Sequence, residues 1–435
     1  MPQQGDLPLV AVVGAGPAGL AATVAAARSG VRTCLIERSH RIGGSATDAR
    51  VGTVCGLSLC GTSLSKPPSF DNPGFALEFC VRLAELSGTS LTRNEAGLAY
   101  LPYSPQAFET AALEQLAPLG DRTMLCCSEQ LASARFSQST QVFELELKHS
   151  SITAHAVVDC SGDAVVSRLL GFSVLEPNPP QAGALVFELH GLTELDEDSL
   201  GFIVRKILRE GVLANDISER LSYVSLVPGS LRSGSAAFKL GTQPTEPDHP
   251  ARSHSAIERQ ARTDILTLVA YLASRGGPLK SARIGIIADA LGIRAGGRGK
   301  GETILSKQDV TQSKRSPSGI ALGFWPVERW DTASRPLLTF PQQGRSYEIP
   351  LGALCSHEQA GLYFAGRSIS ATDEAIASAR VMGTCLSTGY AAGRIAAGHL
   401  CGEERATIIS KLRAEQVEPF YKECEVDIGR GERSS

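Results

Sequence analysis

Residues 14–19 read GAGPAG, three glycines in G-x-G-x-x-G spacing, between the apolar run PLVAVV (8–13) and an alanine-rich stretch that ends at Arg28. A strand that turns on glycine straight into a helix needs a parallel sheet, because the helix must carry the chain back before the next strand begins. That next strand is VRTCLIER (31–38), reached through Ser29-Gly30, where glycine stops the helix. The βαβ unit so formed ends in an acid, Glu37. In such a unit the first glycine makes the tight turn, the second lets backbone approach a pyrophosphate and the third lets helix and strand pack. The anion sits at the helix N-terminus, where unpaired N–H groups and the dipole favour it. The loop residues expected to touch a dinucleotide are Gly14, Ala15, Gly16, Pro17, Ala18 and Gly19, with Glu37 and Arg38 at the ribose end. A carboxylate at 37 accepts ribose hydroxyls and disfavours a 2′-phosphate.

Other function classes are narrowed by composition. The 435 residues predict two or three domains, or one large fold with an inserted module. Lys plus Arg is 42 against 45 Asp plus Glu, a formal charge of -3 that offers no global attraction to polyanions, so nucleic acid is not expected as a partner. Eleven cysteines in an odd, scattered set, with no secretory signal, point to a reducing, cytoplasmic setting. Apolar runs are broken by glycine and proline, so no membrane span is expected. No Cys/His cluster has metal-site spacing, and His190 and His357 are read as structural.

Helices are expected over 75–87, 105–117, 258–277 and 381–400. Short strands at 123–127, 130–136, 142–149 and 152–160 suggest a small antiparallel element attached to a parallel sheet. Residues 240–256, rich in Pro, Thr and His, read as an exposed loop, and 342–354 as a strand returning to the first domain.

Three further segments carry a resemblance. RIGGSAT (41–47), with a second Gly-Gly turn within ten residues of Glu37, resembles the loop of FAD enzymes of the glutathione-reductase superfamily. VVDCSGD (157–163) resembles the late strand of that fold, where the chain returns beneath the cofactor. LYFAGRSISATDEAIASARVMGTCLSTGYAAGRIAA (362–397) resembles the flavin-contacting C-terminal segment of FAD-dependent oxidoreductases related to fumarate reductase flavoproteins. The resemblance implies FAD as cofactor, held additionally by Gly43, Gly44, Ser45, Ala46 and Thr47, by Ser161, Gly162 and Asp163, and by Gly366, Arg367, Arg380, Val381, Met382 and Thr384. Leu131, opening the strand QLASARF, is assigned to the cofactor too. The small-residue helix 381–400 would start against the isoalloxazine, its positive end near the pyrimidine edge, and its Gly389 and Gly393 also suit close packing against the sheet.

LGIRAGGRGKGE (291–302) is similar to a GIRETRR pattern of the same family, with Arg294 in place and the next acid missing. Arg294 and Arg298 are expected to bind an anionic group of the substrate. Cys55 and Cys60 in C-x4-C spacing offer a redox pair, although two buried small hydrophobes fit the pattern better. Cys126 and Cys127 are adjacent in a strand, where they face opposite ways and do not pair.

The expected fold is α/β: a Rossmann-like FAD-binding domain from 1–66, 105–172 and 345–400, a small cap or helical insertion at 67–104, a mixed β-sheet substrate domain at 173–344, and a tail at 401–435. The resemblance implies hydride transfer between a small organic substrate and flavin N5, with an electron donor or acceptor the sequence does not name. A flavoprotein using FAD without turnover, cyclase-like, and a thiol–disulfide oxidoreductase are the alternatives. The oligomeric state is open.

Overall fold

A computed structural model describes residues 9–60, 67–244 and 250–423. In chain order, strand β1 (Leu9–Val13) leads through the glycine turn to helix α1 (Pro17–Arg28) and then to β2 (Arg32–Ile36). Proline opens α1, where a missing N–H costs nothing, and the alanines that follow are the best helix formers. Helices α2 (Phe75–Ser87) and α3 (Pro105–Leu116) precede β3 (Thr123–Cys126). A meander of β4 (Leu131–Ser137), β5 (Val142–Leu147) and β6 (Ser151–Ala154) then delivers β7 (Ala156–Asp159).

The second region alternates β8 (Ala182–His190), α4 (Glu197–Leu213), β9 (Val224–Leu226), β10 (Ser235–Pro244), α5 (Pro250–Ser274) and β11 (Arg283–Ile287). The chain returns as β12 (Leu362–Phe364) and the long helix α6 (Met382–Leu400).

The main sheet runs β12-β7-β1-β2-β3 with every pair parallel, and β4-β5-β6 form a separate antiparallel sheet. This is the α/β architecture with an appended antiparallel element. A four-stranded antiparallel sheet, β9-β10-β8-β11, makes up the second region.

Two large cores follow this division. The second draws its fully buried side chains from Leu185 to Leu291. The first gathers the main sheet, α1 and α6, together with Phe75, Phe79 and Leu83 of the 67–104 stretch and Leu305, Val310 and Ile320. The last of these join because Gly319–Gly323 pairs antiparallel with Tyr347–Pro350. The returning strand expected over 342–354 is thus only those four residues, Tyr347–Pro350.

Two local expectations change. The loop read at 240–256 contains the end of β10, whose Pro244 pairs with Ala182, and the start of α5 at Pro250; residues 245–249 lie outside the described residues. Proline there opens a helix instead of marking a loop. The small-residue helix α6 makes its tightest approach to α1: a Cβ at Gly389 or Gly393 would be driven into the Ala18 and Ala22 carbonyls. The Gly-x-x-x-Gly spacing is a helix–helix seam more than a helix–sheet one.

Candidate active site

One cleft opens at the C-terminal ends of β1, β2 and β7, where parallel sheets place their ligands. Counted out to its mouth it holds about 1310 Å³. Its floor is glycine backbone. Gly14 sits at φ +98°, and a Cβ there would lie 2.7 Å from the Cys160 carbonyl oxygen, so only glycine fits between β1 and β7. Gly16 is different. A Cβ on Gly16 meets nothing within 4 Å, so the space beside it is empty of protein. Gly16 caps α1 without any side-chain hydrogen bond. Leu20 N–H is the first to bond back, to Gly16 O, which leaves the Ala18 and Gly19 amides at the helix start without a backbone acceptor. Gly44 closes over this floor, its hypothetical Cβ 3.1 Å from Gly16 Cα.

Glu37 is buried at the end of β2 and ties the turn together. Its Oε2 accepts from Ala15 N–H at 2.7 Å and its Oε1 from Ser39 N–H at 2.9 Å. Each oxygen retains a lone pair for a further donor. Asp159, fully buried at the end of β7, performs the same service for the SGD turn, accepting from Ser161 N–H at 3.0 Å, Ser161 Oγ at 2.6 Å and Val166 N–H at 2.9 Å. Burial raises its pKa against these bonds.

Arg367 lies over Gly162, its guanidinium where a Cβ would stand, and donates to the Ile293 carbonyl. At the start of α6, Arg380 and Met382 line the cleft. Val381 caps this helix with no side-chain bond, and two buried polar atoms, Arg380 Nε and Thr384 Oγ1, have no partner. An uncapped helix start with the orphaned Arg380 Nε just before it, at a cleft floored by glycine, fits a large polar aromatic group carrying a diphosphate.

The cleft wall contains Gly14, Gly16, Pro17, Ala18, Glu37, Arg38, Gly44, Ser45, Leu131, Ser161, Gly162, Asp163, Gly366, Arg367, Arg380 and Met382 of the expected set. Ala15, Gly19, Gly43, Ala46, Thr47, Val381 and Thr384 stand behind it. Gly19 there packs α1 on β1, since a Cβ would collide with the Gly14 carbonyl. Thr47 Oγ1 donates to Ile42 O at 2.9 Å and so shapes the second glycine turn from behind.

The two arginines separate. Arg298 is buried, pairs with Asp373 at 2.9 Å and donates through Nε to Ala371 O at 2.8 Å. Its charge is spent inside the protein, and it does not reach the cleft. The glycines around it also have an internal reason: Cβ atoms at Gly296 and Gly299 would collide with Asp163 and Phe364, and one at Gly301 would lie 2.7 Å from the Gly352 carbonyl. Arg294 stacks on Trp330, its Cζ 3.9 Å from the ring centroid, and donates to the Ala182 carbonyl.

Burial pushes the Cys55 and Cys60 thiols up to about 12, the opposite of what a thiolate nucleophile needs. Neither lines the cleft. Cys126 lies with its Sγ 3.6 Å from that of Cys34 on the neighbouring strand. His190 pairs with Glu188 at 2.7 Å, away from the cleft.

Sequence reasoning missed Asp48, Ala49, Gln130, Ala290, Leu291 and Ile293, which also line the cleft. The Ala290 amide donates to Asp48 O at 3.1 Å and so stitches the loop after β11 to the second glycine turn. The nearness of Asp48 and Ala49 to the Gly-Gly pair gave one signal and the place of Leu291 and Ile293 in the GIR stretch before Arg294 another; nothing marks Ala290.

The family model described as FAD dependent oxidoreductase matches residues 10–418. The chain belongs to that family: it is an FAD-dependent oxidoreductase, and FAD is its cofactor. No curated protein sequence matches it. Solved structures that it is similar to include p-nitrophenol 4-monooxygenase from Pseudomonas putida, with 12% identity and a TM-score of 0.46, covering 96% of this chain and 86% of that one. Another is anhydrotetracycline hydroxylase from Streptomyces rimosus, with 10% identity and a TM-score of 0.48, covering 93% of this chain and 64% of that one. A third is a geranylgeranyl bacteriochlorophyll reductase-like protein from Thermoplasma acidophilum, with 13% identity and a TM-score of 0.44, covering 94% and 83%. Likeness at this level says nothing of the reaction. Among the described residues no helix is long and apolar enough to cross a membrane.

Proposed function

We propose that this FAD-dependent oxidoreductase moves a hydride between a small organic substrate and N5 of the flavin, and that its relatives are the glutathione-reductase-type FAD enzymes, among them the fumarate reductase flavoproteins. The observation that carries the reading is the open space beside Gly16: no protein atom stands within 4 Å of where its Cβ would be, and the Ala18 and Gly19 amides at the start of α1 have no backbone acceptor. In this reading the diphosphate would rest there, Glu37 would accept the ribose hydroxyls, Ser161 to Asp163 and Gly366 would flank the central chain, and Arg380 and Met382 would meet the ring system.

Bound FAD supplies the two-electron chemistry. The protein supplies position. The loop 290–293 faces the glycine floor across the cleft, so a substrate entering between the two sheets would be held against the ring end of the cofactor and shielded from water on both sides. A substrate oxidised there loses a hydride and a proton, and the electrons leave later to oxygen, a quinone or an external reductase; a substrate reduced there gains both. The high thiol pKa values at Cys55 and Cys60 weigh against thiol–disulfide exchange.

The reading is tested by mixing the FAD-loaded protein anaerobically with a pool of small metabolites and following the flavin absorption band. Bleaching of the oxidised enzyme, or recovery of the chemically reduced enzyme, is expected. A flavin that responds to the pool in neither direction contradicts hydride transfer and favours a non-redox use of FAD.

A further inference from the structure

Between the second sheet and the start of α6 the chain collects more positive charge than it neutralises. Lys239 projects from β10, and its Nζ lies 5.9 Å from the centroid of the Trp330 ring that Arg294 also covers. Arg380 donates from Nη2 to the Glu328 backbone oxygen at 3.0 Å, and its Nε is buried without a partner. Against these three cations stands one carboxylate, Glu328. Both its oxygens are already taken, Oε2 by the Trp325 indole N–H at 2.6 Å and Oε1 by the Trp330 indole N–H at 2.7 Å.

The imbalance has consequences for each group. Among the described residues the Lys239 ammonium has neither a hydrogen bond nor an ion pair. Burial lowers the pKa of Lys239 and brings that of Arg294 down to about 9, as expected of cations withdrawn from water without a counter-ion. Burial works against ionisation of Glu328 too, but the nearby Arg380 holds it below the usual carboxylate range, so it remains an anion. Cations left unpaired in a half-buried wall are costly, and a bound anion relieves that cost.

The cluster adjoins the cleft. Arg380 belongs both to it and to the cleft wall, immediately before the helix whose start meets the ring end of the cleft. The surroundings are organic in character: Trp325, Leu98, Val381 and Cys55 pack into one apolar cluster beside it.

We propose that Lys239 and Arg294, with Arg380, form a subsite for a carboxylate of the substrate, which anchors an organic acid with its body against the tryptophans and its reacting carbon toward the flavin. The proposal rests on the reading of the cleft as a flavin site and names the substrate class. Its donors are the three N–H groups of Lys239, the free edge of Arg294 and the single Nε–H of Arg380. That set suits the two oxygens of a carboxylate, with no nest of backbone amides of the kind a phosphate group usually recruits.

The test uses the FAD-loaded protein, titrated with acetate and benzoate, with their neutral isosteres acetamide and benzamide, and with inorganic phosphate, read by calorimetry and by perturbation of the flavin spectrum. A carboxylate is expected to bind saturably, its amide about tenfold more weakly or worse. Lys239→Met and Arg294→Met should each weaken that binding about tenfold with FAD content unchanged, and Lys239→Arg should restore most of it. Neither carboxylate binding, equal binding of acid and amide, tighter binding of phosphate, or an unaltered affinity in Lys239→Met would each overturn the proposal. Should Arg294→Met fail to fold, the two Lys239 variants decide alone. A protein that binds carboxylate but whose flavin is never reduced or reoxidised by the metabolite pool would sink the hydride reading and leave the subsite standing.

Discussion

The cleft and the charged wall beside it are built by opposite means. The wall formed by β1, β2, β7 and α1 is made of backbone: Gly14, Gly44 and Gly162 hold close approaches, Gly16 leaves open space, and its acids, Glu37 and Asp159, are occupied in holding turns. The cluster that adjoins it through Arg380 is made of side chains: Lys239, Arg294, Glu328, Trp330 and Arg380 arrive from four separate stretches of the chain. A backbone wall suits a ligand that never changes. A side-chain wall can be altered residue by residue without disturbing the fold, which is where a shared scaffold stores its differences in substrate.

The largest effect belongs to Gly14→Val. It forces a β-branched residue to φ +98° and a Cβ into the Cys160 carbonyl, so a loss of about 2–5 kcal/mol is expected, together with loss of FAD. Thermal melting and flavin absorbance of the purified variant check both.

Next comes Glu328→Gln, which removes the one anion of the charged wall and weakens two charge-assisted indole bonds. A destabilisation of about 1.5–3 kcal/mol is expected, with FAD content unchanged; loss of FAD instead would mean that the two walls are not separable. Gly389→Val drives a side chain into the Ala18 carbonyl and should cost about 1–3 kcal/mol by prising α6 from α1, visible as a lower melting temperature. The smallest effect is expected of Cys55→Ser with Cys60→Ser, in which flavin reduction by any electron donor found for the wild type should change less than about twofold, because a buried thiol of high pKa carries no exchange chemistry.

The same contrast explains what the sequence revealed. The backbone wall was legible because its logic is local: a strand, a glycine turn, a helix opened by proline and an acid at Glu37 occur in one short stretch, and Gly14 and Gly19 report close approaches. What a glycine does not report is what it approaches. Gly296, Gly299 and Gly301 lie among the arginines expected to bind the substrate, yet they make room for Asp163, Phe364 and Gly352. Arg298 was drawn into the same error, since nothing nearby in sequence announces Asp373. Lys239 gave no signal at all. It alternates with the core residues Phe238 and Leu240 on an ordinary strand, and its meaning comes from Trp330 and Arg294, distant in sequence. The start of α5 at Pro250 was hidden for a different reason: proline serves loops and helix starts alike.

The most direct test of the account is the FAD content of Gly16→Val. The new side chain meets no protein atom at its Cβ and the residue lies at φ −70°, ψ −176°, a conformation valine accepts, so the variant should fold and its cofactor-free form should melt close to the cofactor-free wild type. The side chain would occupy the space assigned to the diphosphate. The prediction is a folded protein that retains less than about a tenth of the wild-type FAD, a loss of at least ~1.4 kcal/mol in binding. A folded Gly16→Val protein that keeps its full complement of FAD would contradict the placement of the cofactor on the glycine wall.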